Sequence, residues 1–312
     1  MRFIGNPIVK LLTTIALFAL ISLKVDVAEA GKRLLSLPPL LAAAITAVSF
    51  FALLVQAYKT KILLTERSVG AILRVSIISQ IYSVVFLGQV GGDIAKAGYL
   101  LRSPAELHRI VAAVLFDRIT GLVGLLILGI GGLLLNTQHL DPVIAPTLTA
   151  AMAMLLAALL AIFCLNETNA DRLLGWLPAG ISRQFGDTIR ATRVSSSTPR
   201  ILIASVLMGL AFQGVVVANC AWLGSALGIN LSLATWAVVI CVMSLVLLLP
   251  ISIGGIGLRD VTLVGMLGGF GIATDQALAL SLALLGLQLA MVVVGAILML
   301  LPTSKEVEPE HP

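Results

Sequence analysis

Asp93, Lys96, Asp117, Arg118, Arg259 and Asp260 are charged residues set in stretches that are otherwise apolar. A charge at membrane depth is expensive and marks a binding site or an ion path by default. Asp93 and Lys96 are one helical turn apart and can pair. A half-helix beginning at Asp93 would turn free N–H groups and a positive dipole end toward an anion, such as a lipid phosphate. Arg259 offers a planar fork that suits a phosphate. Each residue also has a plainer reading. Asp93 would be an ordinary N-cap, with Lys96 left as the anion contact. Arg259 would anchor a short cytoplasmic turn. Asp117 and Arg118 would either pair inside the bundle or reach toward the membrane interface.

The charges sit beside breaks in the apolar pattern. In "GQVGGDIAKAGYLLR" (88–102), Gly88, Gly91 and Gly92 loosen the backbone ahead of Lys96. In "LPISIGGIGLRD" (249–260), Pro250 removes a donor and ends an apolar leg, and Gly254, Gly255 and Gly257 follow. This glycine pattern is not a nucleotide fingerprint, because no strand precedes it and no βαβ unit surrounds it.

These breaks belong to a chain of 312 residues that is 59% hydrophobic and 11% charged. A soluble domain carries about 25% charged residues, so this chain cannot cover itself with polar surface. Its apolar runs are helix-length rather than the short alternating strands of a barrel. The predicted fold is all-α: a polytopic transmembrane bundle. Full spans are expected at about 8–27, 38–57, 106–135, 144–165, 201–227 and 276–301, with interrupted regions at 69–101 and 233–272. The region 1–302 reads as one transmembrane domain and 303–312 as a disordered cytoplasmic tail. The N-terminal apolar segment, followed by "VAEA", reads as a first span or as a cleaved signal peptide.

Loop charge sets the topology. Lys59, Lys61, Arg67 and Arg74 lie in 58–74, Lys96, Arg102 and Arg109 in 96–109, and five arginines in 166–200. The segments 136–143, 228–234 and 271–276 contain no Lys or Arg. Basic loops face the cytoplasm. Both flanks of 75–95 are then inside, so that segment must enter and leave on one side and break near Gly88–Gly92. Both flanks of 233–272 are outside, so it breaks near Pro250–Gly257, unless it forms two full spans around a cytoplasmic turn. Two broken hairpins of opposite entry are what an inverted repeat would leave, with the breaks meeting near the midplane.

The net charge of +5 reads as membrane anchoring rather than nucleic-acid binding. Cys164, Cys220 and Cys241 sit in apolar runs and read as small buried hydrophobes, and the scattered histidines suggest no metal site. Glycines 121, 124, 129, 131 and 132 read as a helix-packing surface. Gln80, Gln89, Gln213, Asn219 and Gln288 read as interhelical hydrogen-bonders or as the lining of a headgroup site. No nucleophile–base set and no phosphate loop is found, so no enzyme activity and no cofactor is expected.

The segments "AYKTKILL" (57–64), "GQVGGDIAKAGYLLR", "FDR" (116–118) and "LPISIGGIGLRD" together resemble the transmembrane, flippase-like domain of the lysylphosphatidylglycerol synthase family. Order and spacing match over nearly the whole chain. The chain departs at Gly88, where the family often has proline, at Lys96, where arginine is common, and at Asp117 and Asp260, where glutamate is common. The residues end at Pro312, so the resemblance implies the flippase-like half without the soluble aminoacyl-transferase domain. It further implies a multi-pass inner-membrane protein with cytoplasmic termini that moves an anionic or polyprenyl-linked lipid between leaflets. Asp93, Lys96, Asp117, Arg118, Arg259 and Asp260 would line the polar path. The alternative is a membrane-embedded accessory subunit or transferase in envelope lipid or glycan synthesis, partnered by an envelope-biosynthesis enzyme.

Overall fold

A computed structural model describes residues 32, 37–85, 88–135, 144–164, 199–249, 252 and 254–301. The expected first span, most of the loop 166–200, Pro250 and the tail 303–312 lie outside the described residues.

The described residues form a helical bundle. Its α-helices are α1 (Pro39–Leu63), α2 (Val69–Val85), α3 (Gln89–Leu100), α4 (Leu107–Leu135), α5 (Ile144–Cys164), α6 (Pro199–Ala226), α7 (Leu233–Val246), α8 (Leu258–Gly269) and α9 (Thr274–Leu300). A 3-10 turn, Pro104–Glu106, precedes α4. Helix is the economical choice for such a sequence, because it satisfies every backbone polar group within the segment. Among the described residues, four helices are long and apolar enough to cross a membrane: α1, α4 with its leading turn, α6 and α9. The chain is a multi-pass membrane protein.

Starts and stops follow local chemistry. Pro39 opens α1, where its missing N–H costs nothing. The Ser232 hydroxyl accepts from the Thr235 N–H at 3.1 Å and caps α7. The Asp260 carboxylate accepts from the Gly257 N–H at 2.9 Å and secures the first turn of α8.

Side-chain contacts identify the two ends of the bundle. At one end, Arg67 donates to the Leu100 carbonyl at 3.2 Å and pairs with Glu106 at 2.8 Å. Arg109 pairs with Glu66 at 2.5 Å, and Arg74 donates to the Leu298 carbonyl at 2.8 Å. The end of α1, the start of α2, the end of α3, the start of α4 and the end of α9 therefore meet at this basic end. At the other end, Gln276 donates to the Leu227 and Gly228 carbonyls at 3.3 Å, and Trp236 lies against Gly224. Helix α9 joins the two ends over 27 residues, about 40 Å at the helical rise.

The hairpin α2–α3 thus leaves and returns at the basic end, and α7–α8 leaves and returns at the opposite end. This is the opposite entry that loop charge requires. Among the described residues, the helices of both hairpins are shorter than the four long apolar ones, at 17 and 12 residues for α2 and α3 and 14 and 12 for α7 and α8. The first break is narrower than expected. Gly88 has φ +62° and precedes α3, but Gly91 and Gly92 lie inside that helix. Gly92 instead permits close approach, since a side chain there would run into Ser83. The second break does use Gly254, Gly255 and Gly257, all at positive φ.

The largest apolar core is built on α4, α6, α7, α8 and α9 around Trp236, Ile240 and Leu263. Close backbone crossings hold it together: a side chain on Gly124 would sit 2.7 Å from the Leu210 nitrogen. Gly129 and Gly132 face α7 equally closely, whereas Gly131 faces open space. Cys220 and Cys241 are free and buried in this core.

Candidate functional site

Both breaks open onto one cavity of about 430 Å³. Gly88, Gln89 and Gly92 line it from the first hairpin, and Gly254, Gly255 and Arg259 from the second. The remaining wall comes from α1, α2, α4, α6, α7 and α9. Five of the six charged residues singled out in the sequence face this space: Asp93, Lys96, Asp117, Arg118 and Arg259.

Lys59 is a further member. It sits near the end of α1 and is only 3% exposed. At two residues' separation a helix turns about 200°, so Lys59 points inward while Lys61 caps the Arg67 carbonyl at 2.7 Å. Lys59 stands 3.4 Å from one Asp117 oxygen, and Lys96 stands 3.4 Å from the other. Lys59 also donates to the Asp117 backbone carbonyl, and Lys96 to the Thr60 hydroxyl at 2.9 Å. Asp117 is therefore a buried carboxylate clamped between two buried ammonium groups from α1 and α3. Removing Asp117 would strand two charges in a low-dielectric site, whereas removing one lysine leaves the other paired with it.

Arg118 turns the other way along α4 and pairs with Asp93 of α3 at 3.1 Å. This corrects two local expectations. Asp93 pairs with Arg118 rather than with Lys96, and Asp117 and Arg118 have separate partners rather than each other. Asp93 is also not the N-cap of α3, which begins four residues earlier at Gln89.

Arg259 projects from the first turn of α8 and is 6% exposed. Its hydrogen-bond partners are neutral, the Ser281 hydroxyl at 3.2 Å and the Gln288 amide oxygen at 3.2 Å, both on α9, and the buried Asp260 carboxylate acts on it through space. Asp260 does not line the cavity. Its carboxylate is spent on the Gly257 N–H and the Ser281 hydroxyl, so it positions the turn that carries Arg259. Gln80, Gln89, Gln213, Asn219 and Gln288 all line the cavity. Gln213 and Asn219 also make interhelical hydrogen bonds, Asn219 to Ser49 on α1 at 2.8 Å.

Four cations and two carboxylates line the cavity, a formal balance of +2. Such a chamber can attract an anion. The model of the family described as lysylphosphatidylglycerol synthase TM region matches residues 8–296. No curated protein and no solved structure matches the chain.

Proposed function

The chain belongs to the lysylphosphatidylglycerol synthase TM-region family, and we propose that it moves an anionic phospholipid or a polyprenyl-linked lipid between membrane leaflets. The observation that carries this reading is the shared cavity: two broken hairpins entering from opposite ends both expose their breaks and their cations to one positively balanced chamber. A headgroup in that chamber would meet Arg259 and the Lys59–Lys96 pair. The acyl or prenyl chains would stay in lipid.

The basic end faces the cytoplasm of a cell with an inner membrane, by the positive-inside rule. Asp93, Lys96, Asp117, Arg118, Lys59 and Arg259 hold the headgroup, and Asp260 holds Arg259 in place. The test is reconstitution of the full chain into vesicles carrying labelled phospholipids or polyprenyl phosphates. Lipid exchange between leaflets that slows at least tenfold in Arg259→Gln supports the reading. Folded protein that moves none of these lipids removes it.

A further inference from the structure

We infer, resting on that reading, that the seam between α3 and α4 is a lateral portal through which a lipid headgroup passes from the leaflet at the basic end into the cavity, and that the Asp93–Arg118 ion pair is its latch.

The two helices are joined in different ways along the seam. At the basic end the contact is apolar: Leu100 and Ala97 of α3 pack with Ile110 and Ala113 of α4. From Gln89 to Lys96, α3 contributes no residue to an apolar core among the described residues. Charge joins that stretch to α4 instead, through Lys96 with Asp117 and Asp93 with Arg118. The Lys96 and Asp117 side chains are 4% and 7% exposed, and those of Asp93 and Arg118 are 34% and 23% exposed. An exposed pair is weak and parts readily. A stretch with few buried apolar contacts opens locally at low cost.

The outer pair belongs to two surfaces. Asp93 and Arg118 line the cavity, as does the exposed Gln89 one turn before Asp93. Beside them stand the exposed apolar side chains of Val90 and Ile94 on α3 and Leu115 on α4. Residues three apart on a helix share a face, so Val90 adjoins Asp93 and Leu115 adjoins Arg118. The cavity wall thus narrows to one ion pair where it meets lipid-facing side chains. Asp93 is seven residues from Leu100, about 10 Å along the helix. Arg118 is eleven residues from Leu107, about 16 Å. With a hydrocarbon core about 30 Å thick, the pair stands in the half of the membrane at the basic end. A charged pair on the flank of a bundle at that depth is costly and marks a functional site.

Arg118 also has the means to hand over. Its Nη2 is buried and has no hydrogen-bond partner among the described residues. A phosphate can engage Nη2 before Asp93 releases Nη1, so the guanidinium keeps an anionic partner while the latch parts. Gly88 heads α3 at φ +62°, with no atom near the point where a side chain would begin, and supplies a hinge.

The experiment measures entry rather than transport. Gln80→Cys places a thiol on the cavity wall of a full chain carrying Cys164→Ser and Cys220→Ala, with Cys241 buried outside the cavity lining. The probe is a phosphatidylethanolamine whose amine has been converted to a maleimide, carried in phosphatidylcholine vesicles that hold the protein. Labelling is followed as a mass shift. The lipid-borne maleimide should label Gln80→Cys, and Asp93→Asn should speed the reaction about threefold, the scale of a weak exposed pair. Arg118→Lys, which keeps a charge opposite Asp93, should give a smaller gain and serves where Asp93→Asn does not fold. Exchanging the two, Asp93→Arg with Arg118→Asp, keeps the charge of the site and rebuilds the pair. It should return the rate to that of the parent. A small water-soluble maleimide should react no faster in any of these variants. Absence of labelling by the lipid-borne probe, one rate in all variants, an exchanged pair as fast as Asp93→Asn, or an equal gain for the water-soluble reagent overturns the inference.

The vesicle assay separates this inference from the translocase reading. Latch-dependent entry without lipid exchange between leaflets removes the translocase and keeps the portal. Lipid exchange without latch-dependent entry removes the portal and keeps the translocase.

Discussion

The carbonyl oxygen of Val84 lies 3.2 Å from the point where a side chain on Gly254 would begin. The break in one hairpin therefore touches the break in the other. Gly254 also holds φ +60°, a left-handed conformation that costs a residue with a side chain about 1–2 kcal/mol. Gly254→Ala combines that strain with displacement of the Val84 backbone. The expected outcome is a lower unfolding temperature in detergent and slower lipid exchange. Gly98→Ala is the control, because Gly98 is helical and faces open space. It should leave the unfolding temperature unchanged or raise it. Identical effects of the two substitutions would show that contact between the breaks contributes nothing.

The clamp on Asp117 predicts an unequal response to charge removal. Asp117→Asn leaves Lys59 and Lys96 buried without a counter-charge, a loss of about 3–5 kcal/mol by the usual cost of breaking a buried pair. Lys96→Met removes one of the two ammonium groups and leaves Asp117 paired with Lys59. Thermal unfolding should therefore place Asp117→Asn well below Lys96→Met, and Lys96→Met closer to the parent. The reverse order would mean that Lys59 does not stabilise the carboxylate.

Asp260 and Arg259 are neighbours with different duties, and their substitutions should separate. Asp260→Ala frees the Gly257 N–H and leaves the Ser281 hydroxyl without its acceptor, so stability should fall by about 1–3 kcal/mol. Arg259→Gln keeps a side chain able to bond Ser281 and Gln288 but removes the charge. It should unfold near the parent temperature while losing lipid exchange. A stable, fully active Arg259→Gln would place the headgroup contact elsewhere in the cavity.

The sequence makes the two hairpins visible because their signals are local and add along the chain: apolar length, a glycine break and the lysines and arginines on either side. The same signals say where a break is permitted, not where it falls. Gly91 and Gly92 are permissive in isolation, yet α3 continues through both and uses Gly92 to approach Ser83. Pairing is harder to read, because it depends on which helix stands opposite. Asp93 has Lys96 within one turn, but α4 brings Arg118 against it. Lys59 reads as a cytoplasmic anchor because it adjoins Lys61. Only the helical turn between them separates a buried site residue from a surface cap. Asp260 reads as part of the polar path because it adjoins Arg259, although its carboxylate turns back onto Gly257.

The topology itself can be tested with two single cysteines. Arg102 follows α3 at the basic end, and Asp275 lies in the first turn of α9 at the opposite end. Both positions lie beside hairpins that return to the side they entered. Arg102→Cys should therefore react with an impermeant thiol reagent from one face of the membrane only, and Asp275→Cys from the other face only. Of the three native cysteines, Cys220 and Cys241 are buried and should remain unlabelled in the folded protein, and Cys164→Ser removes the third from the background. If α2–α3 crossed the membrane as one continuous span, residues 58–74 and Arg102 would be labelled from opposite faces. Adding Lys61→Cys as a third position tests this directly. Lys61 and Arg102 labelled together, with Asp275 apart, is the pattern that two hairpins of opposite entry require. Labelling of Arg102 and Asp275 from the same face would rule it out.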